Sequence, residues 1–274
     1  MQRHTGEPRP GWERIVREQG MVFDTPGRGV GGGPRPYWDE SVHYTFSMDE
    51  ILSLEADVEV IHGMCLEAVD HVVTTERYRD FALPEWCWEA VAASWKRSDP
   101  HVYGRFDLRY DGGGPAKLLE YNADTPTTLL EASILQWYWL KDVHPGDDQW
   151  NSLHESLVER WSQIKDRLPS SEVHFTWSGS ETTGEDHVTV GYMQETAAEA
   201  GLDTVGLAIE DIGWDSVLDR FVDLEEAPIA AIFKLYPWEW ALTDRFGKSV
   251  VRSLPETLWI EPLWKAVLSN KALL

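Results

Sequence analysis

The sequence is short of three things, and each shortage removes a class of function. Cysteine is the first: in 274 residues only Cys65 and Cys87 carry thiols, and one pair so far apart has neither metal-ligand spacing nor a disulfide framework. Cys65 falls in a helical pattern and Cys87 stands between two tryptophans, so both are expected as buried thiols rather than nucleophiles. Long apolar runs are the second. No stretch of about 18 apolar residues occurs, the length a bilayer-spanning helix requires, and the opening segment MQRHTGEPRPGWERI lacks the apolar centre of a signal peptide. A cytoplasmic protein is expected. Positive charge is the third: 24 Lys and Arg stand against 47 Asp and Glu, a formal charge of −23. Nucleic-acid binding needs a basic footprint, so it is excluded as the main function. The acidic surplus serves solubility first, and it is compatible with a polycationic small molecule.

What is present supports a core. Hydrophobic residues make up 42% of the chain, including 15 tryptophans, enough for one large domain or two modest ones. Pro10 suits the first turn of a short helix ending near Glu18. The stretch from Gly27 to Pro36 is too rich in glycine and proline for regular structure. It contains a G-x-G-x-x-G match at Gly27, Gly29 and Gly32, which is rejected as a nucleotide site because no strand precedes it and proline follows. Ser47 and Glu50 form a capping-box pattern that starts a long helix at Met48. A second helix, Pro84 to about Lys96, carries Trp86, Trp88 and Trp95 as packing aromatics.

Function concentrates in the stretch GRFDLRYDGGGPAKLLEYNADTPTTLLE, residues 104–131. Both halves alternate with the period of a strand, and Asp111 to Pro115 supplies turn chemistry between them. Burying the apolar sets together sets Leu108 across from Leu119 and Phe106 across from Tyr121. The opposite face then pairs Asp107 with Glu120 and Arg105 with Asn122, since the side-chain period of two makes face assignment all or none. Oxygens of Asp107, Glu120 and Asn122 in one cluster suit a hard cation such as Mg2+, and Arg105 beside them suits developing negative charge. The competing reading is a solvated hairpin face bearing a surface ion pair. A glycosidase, prompted by the tryptophans and the Asp107 and Glu120 pair, fails because its carboxylates stand roughly 5 Å or more apart and these acids face each other directly.

Downstream, Thr127 is a candidate N-cap for a helix from Thr128 to about Lys141 whose free amides could meet an anion. A further helix is expected from Asp148 to Arg167. A strand follows over Val173 to Trp177 and a polar loop over Ser178 to Gly184. Glu185 and Asp186 then open a helix that closes at Gly201. Leu202 to Glu210 and Ile229 to Leu235, the latter carrying Lys234, read as strands, giving an α/β layer over the site. Tyr236-Pro237-Trp238 opens one helix and Glu261-Pro262 the last, with Trp264, Val267 and Leu268 as its apolar stripe.

The runs GRFDLRYDG, LLEYNADTPTTLLEA, DQWNSLHESLVERW, FKLYPWEW and IEPLWKAVLSNKAL together resemble the glutathionylspermidine synthase family, in its synthetase half, over most of residues 10–274. The resemblance implies an α/β fold, a mixed sheet with flanking helices: a pre-ATP-grasp-like region followed by an incomplete ATP-grasp fold. Its implied divisions are 1–40, an N-terminal helix and loop; 41–170, a helical scaffold with the hairpin; 171–236, the α/β unit; and 237–274, the start of the nucleotide-binding part. It implies ATP and Mg2+ as cofactors, and a glutathione-like peptide with a polyamine or other amine as substrates. It also assigns roles: Arg105 to catalysis and nucleotide contact, Asp107, Glu120 and Asn122 to the metal, Lys271 to nucleotide phosphate, and Thr125, Thr127, Glu185 and Asp186 to substrate. The cysteine-dependent amidase half of some relatives has no candidate nucleophile here. The family continues beyond the equivalent of Leu274 with a second phosphate-binding lysine, a glycine-containing loop and further metal carboxylates. The 274 residues are therefore expected to be a piece of a longer ATP-dependent carboxylate–amine ligase, inactive alone. The alternative is a non-catalytic peptide- or polyamine-binding module on the same fold.

Overall fold

The computed structural model describes residues 1–23 and 37–274, together with the backbone at 27–28 and 34–35. The N-terminal part holds β1 (Gln2–Thr5), α1 (Trp12–Glu18), the two-residue strands β2 (Gly27–Arg28) and β3 (Pro34–Arg35), and β4 (Val42–Thr45); β1 pairs with β4 and β2 with β3, both antiparallel. The stretch expected to lack regular structure thus carries one short pairing, and the remainder of the glycine match lies outside the described residues. The long helix α2 (Met48–Thr74) and α3 (Trp88–Lys96) follow, then the hairpin strands β5 (Arg105–Arg109) and β6 (Lys117–Asn122), α4 (Gln136–Val143) and α5 (Leu153–Ile164). The second half comprises β7 (Glu172–Trp177), α6 (Glu185–Glu199), β8 (Asp203–Ala208), the small ribbon β9 (Gly213–Asp215) with β10 (Arg220–Val222), β11 (Ala231–Leu235), α7 (Trp238–Thr243), α8 (Gly247–Ser253), β12 (Leu258–Ile260) and α9 (Lys265–Leu268).

Ser47 caps α2 as its sequence requires: its hydroxyl accepts from the Glu50 amide, and the Glu50 carboxylate accepts from the Ser47 amide at 2.9 Å. The helix expected from Asp148 begins instead at Leu153, because the Asn151 side chain accepts from the Leu153 amide and holds the preceding residues in a turn. Of the three tryptophans near α3, Trp88 stacks on Tyr78 and Trp95 meets Trp264 edge to face, whereas Trp86 is exposed.

Parallel and antiparallel pairing are divided between separate sheets. The main sheet is parallel throughout in the order β12-β11-β7-β8, while the antiparallel pairs form detached ribbons. Its central strands are covered on both faces, which is why AIFKL of β11 is buried at every position. Phe175 and Phe233 pack on Trp161 of α5 and Met193 of α6 on one side; on the other, Ile232 packs with Trp238, Trp259 and Val267 and with Val69 of α2. From β7 the chain moves outward to β8, then returns to the other side of β7 for β11 and continues to β12. Connections therefore leave in opposite directions at the carboxyl ends of β7 and β11. That point is where open α/β sheets leave a crevice for ligands.

Candidate active site

The hairpin stands beside this crevice and owes its shape to local chemistry. Arg105 lies opposite Asn122, Phe106 opposite Tyr121 and Asp107 opposite Glu120, so the two polar pairs share the face the alternation requires. Phe106 and Tyr121 pack at 4.2 Å on the other face, with His62 of α2 against both rings. A Cβ at Gly104 would stand 2.7 Å from the Tyr121 ring, so the hairpin can start there only with glycine. Asp57 of α2 accepts the Ala116 amide at 2.7 Å, which ties the hairpin to the helical scaffold.

The register breaks after Asp107. A bulge sets Leu108 opposite Leu118, not Leu119 as the alternation had implied, and leaves Leu119 exposed. One residue more in β6 than in β5 turns Leu118 inward and keeps Glu120 in step with Asp107.

Arg105 organises the polar face. Its Nε donates to Asp107 Oδ1 at 2.9 Å, and its Nη1 donates to Thr127 Oγ1 at 3.3 Å and Thr128 Oγ1 at 3.5 Å. Asn122 Nδ2 lies 3.5 Å from Asp107 Oδ2. Lys271 follows α9 in a short 3-10 turn, exposed, with Nζ 3.6 Å from Glu120 Oε1. Arg105, Asp107, Glu120, Asn122, Thr127 and Lys271 are thus neighbours. Thr127 does not cap a helix as expected: its hydroxyl faces Arg105, Thr128 adopts φ +71°, and the helical winding begins at Leu129. A β-branched residue in the left-handed region costs on the order of 1–3 kcal/mol and is retained where the surroundings fix it.

Thr125 points elsewhere. With Asn122, Asp124, Trp238, Glu239 and Asn270 it lines an open cleft past the end of β11. Glu185 and Asp186 open α6 as expected. Burial and the neighbouring Glu181 and Glu185 push the Asp186 carboxyl up to about 6. Glu185 is near enough to Tyr37 and Glu131 to raise both of their pKa values, alongside the larger effect of burial. The acid pair therefore borders the Arg105 group.

Several supporting residues escape a reading of sequence alone. Ser269 Oγ accepts the amides of Ala123 and Asp124 at 3.1 and 3.0 Å, and Asp124 Oδ2 accepts the Trp238 amide at 2.7 Å. Lys234, fully buried, lies 3.7 Å from Asp124 Oδ2 and 4.3 Å from the Trp238 ring centroid, and burial pushes it down to about 8. Glu261 accepts from the amides of Val102 and Tyr103 and pairs with Lys265 at 2.5 Å, all out of solvent. Tyr103 in turn donates to the Pro126 carbonyl, so the residues on either side of Pro126 are pinned from below. Only an acid within an apolar run, such as Glu261 before Pro262, hinted at this in the sequence.

For a divalent cation, the donor chemistry of Asp107, Glu120 and Asn122 fits: two carboxylates and a carboxamide on one face, beside an arginine suited to phosphate. Among the described residues no three His, Cys, Asp or Glu side chains are grouped to hold a metal unaided, so the amide and an incoming phosphate would have to complete such a shell.

A parallel sheet with a crevice at its switch point, bordered by an arginine–carboxylate hairpin, defines a protein of the α/β class. The chain belongs to the family described as glutathionylspermidine synthase preATP-grasp, which matches residues 3–274. It is similar, at 39% identity over 87% of its length, to a Haemophilus influenzae protein that carries the provisional name acid–amine ligase. It is also similar to trypanothione synthetase of Crithidia fasciculata, at 28% identity over 78% of the chain, and to the bifunctional glutathionylspermidine synthetase/amidase of Escherichia coli, at 26% over 85%. The chain spans 60%, 36% and 40% of the lengths of these three relatives. The relatives are ligases, and the pre-ATP-grasp α/β fold is the one observed. Among the described residues no helix is long and apolar enough to cross a membrane.

Proposed function

We propose that the chain is the substrate-activating part of an ATP-dependent ligase that joins a peptide carboxylate to an amine through an acyl phosphate. The observation that carries this is the hairpin register, which assembles Arg105, Asp107, Glu120 and Asn122 on one face beside Thr127 and Lys271. Asp107, Glu120 and Asn122 would hold Mg2+, which neutralises phosphate charge when bound. Lys271 is free to swing from its exposed ion pair to a phosphate, since such pairs are worth little. Thr127 and Thr125 offer hydroxyls to the peptide, one toward Arg105 and one in the cleft. Glu185 and Asp186 face the amine, a polyamine in the reading the relatives' names support.

Arg105 acts on the charge that develops. Its guanidinium is already oriented by Asp107 and by the two threonines, so no reorganisation is needed when negative charge builds on the carboxyl oxygen and then on the tetrahedral adduct. Glutathione, spermidine and Mg-ATP given to the complete protein test the reading through amine-dependent ADP formation. Arg105→Ala is expected to lower the rate by about 10² to 10³-fold, the loss of one such donor. Activity unchanged in Arg105→Ala would remove the role, and spermidine binding with no ADP formed by the wild type would favour a non-catalytic module.

A further inference from the structure

Glu131 has no part in the reading above, yet its setting is unusual for a carboxyl group. It is 7% exposed, at the start of a π-helical turn over Glu131–Leu135. Such turns are rare and re-aim side chains, often at functional sites. Three residues earlier stands Thr128 in the left-handed region, its hydroxyl 3.5 Å from Arg105. Two departures from regular geometry thus fall within four residues, and Glu131 lies near enough to Arg105 for the two charges to interact. There its Oε1 accepts from the Tyr37 hydroxyl at 2.6 Å. The charged groups around it are Arg105 from the hairpin and Glu185 from α6, the helix whose acidic start borders the site.

We propose that Glu131 is the proton acceptor for the attacking amine. The inference rests on the ligase reading and names a residue for its second half. An alkyl amine arrives as an ammonium ion with no free electron pair, held by Glu185 and Asp186. Glu131 removes one proton, and the freed pair on nitrogen forms the C–N bond at the activated carbonyl. The C–O bond to phosphate then breaks, its electron pair leaves with the phosphate, and the second nitrogen proton departs with that phosphate as HPO4 2−. Glu131 returns its proton to solvent. Burial raises the Glu131 carboxyl above the ordinary carboxylate range despite the Tyr37 hydroxyl and Arg105, which pull the other way. A base so adjusted is better matched to a nitrogen proton than an exposed glutamate.

Hydroxylamine gives the discriminating test, because it is uncharged at neutral pH and attacks an acyl phosphate without first losing a proton. The complete protein and its Glu131→Gln and Glu131→Asp variants would be given glutathione and Mg-ATP with either spermidine or hydroxylamine. Glu131→Gln is expected to lose about 10² to 10⁴-fold in amide formation, while hydroxamate formation stays within about threefold of wild type. Glu131→Asp is expected to recover part of the loss. The retained hydroxamate reaction also shows that the variant is folded and still activates the carboxylate. Equal loss of both products, or amide formation unchanged in Glu131→Gln, overturns the assignment of Glu131 alone. Wild-type protein that forms neither product overturns the ligase reading, and the inference falls with it.

Discussion

At the scale of single residues, the site is a set of charges positioned in part by neighbours that carry no charge themselves. Arg105 is aimed by two threonine hydroxyls, Asp124 by a backbone amide and a serine-held turn, and Glu131 by a phenol. Asp107, Glu120, Asn122 and Arg105 were legible in the sequence, because strand alternation alone groups them. Asp124, Lys234, Glu261 and Glu131 were not. Their partners lie 114, 159 and 94 positions away for Asp124–Trp238, Glu261–Val102 and Glu131–Tyr37, and no local periodicity encodes such contacts. Asp186 gives a prediction at this scale. Its folded-state pKa of about 6 lies above the ordinary 3.8, so between those values the folded protein binds more protons than the unfolded chain. Stability from this group therefore falls as pH rises through that window, and the penalty is fully present above it. Asp186→Asn is expected to raise Tm at pH 7.5 and to leave it unchanged at a pH well below 3.8, where both states are protonated. An identical shift at both pH values, measured by thermal denaturation, would refute the assignment.

At the scale of elements, pattern and structure agree where one local rule dominates. The Ser47 capping box starts α2, Gly201 at φ +81° ends the α6 region, and glycine at 104 admits Tyr121. They part where a side chain competes with the backbone or an extra residue enters a ladder. Asn151 delays α5, Thr127 turns to Arg105 instead of capping, and the bulge after Asp107 exchanges Leu118 for Leu119. The bulge is testable because the two leucines are chemically identical. Leu119→Ser, at an exposed position, is expected to change stability by no more than about 0.5 kcal/mol, whereas Leu118→Ser, packed against the core, is expected to cost about 1–3 kcal/mol. Denaturant midpoints would show it, and the reverse ranking would mean that the hairpin continues in the unbroken register.

At the scale of the whole molecule, the order of the parallel sheet and the place of the hairpin meet at one crevice. Turning outward after β7 and inward before β11 opens the carboxyl ends of those strands. Pro237 after β11 and Trp238 at the start of α7 line a cleft whose other wall is the end of the hairpin, Asn122 to Thr125. The α/β class could be read from the order of strand and helix patterns. The strand order could not, since it depends on which edges pair after the chain has passed twice over the sheet. The charge of −23 fits this layout in one respect: the acidic helix start at Glu185 and Asp186 borders a group centred on an arginine, so an ammonium and a carboxylate would be drawn to adjacent places. The most direct test of that arrangement is to give the complete protein glutathione labelled with 18O in its glycine carboxylate, together with spermidine and Mg-ATP, and to weigh the phosphate released. Activation through an acyl phosphate predicts one 18O in each inorganic phosphate formed. Unlabelled phosphate accompanying amide formation would contradict it.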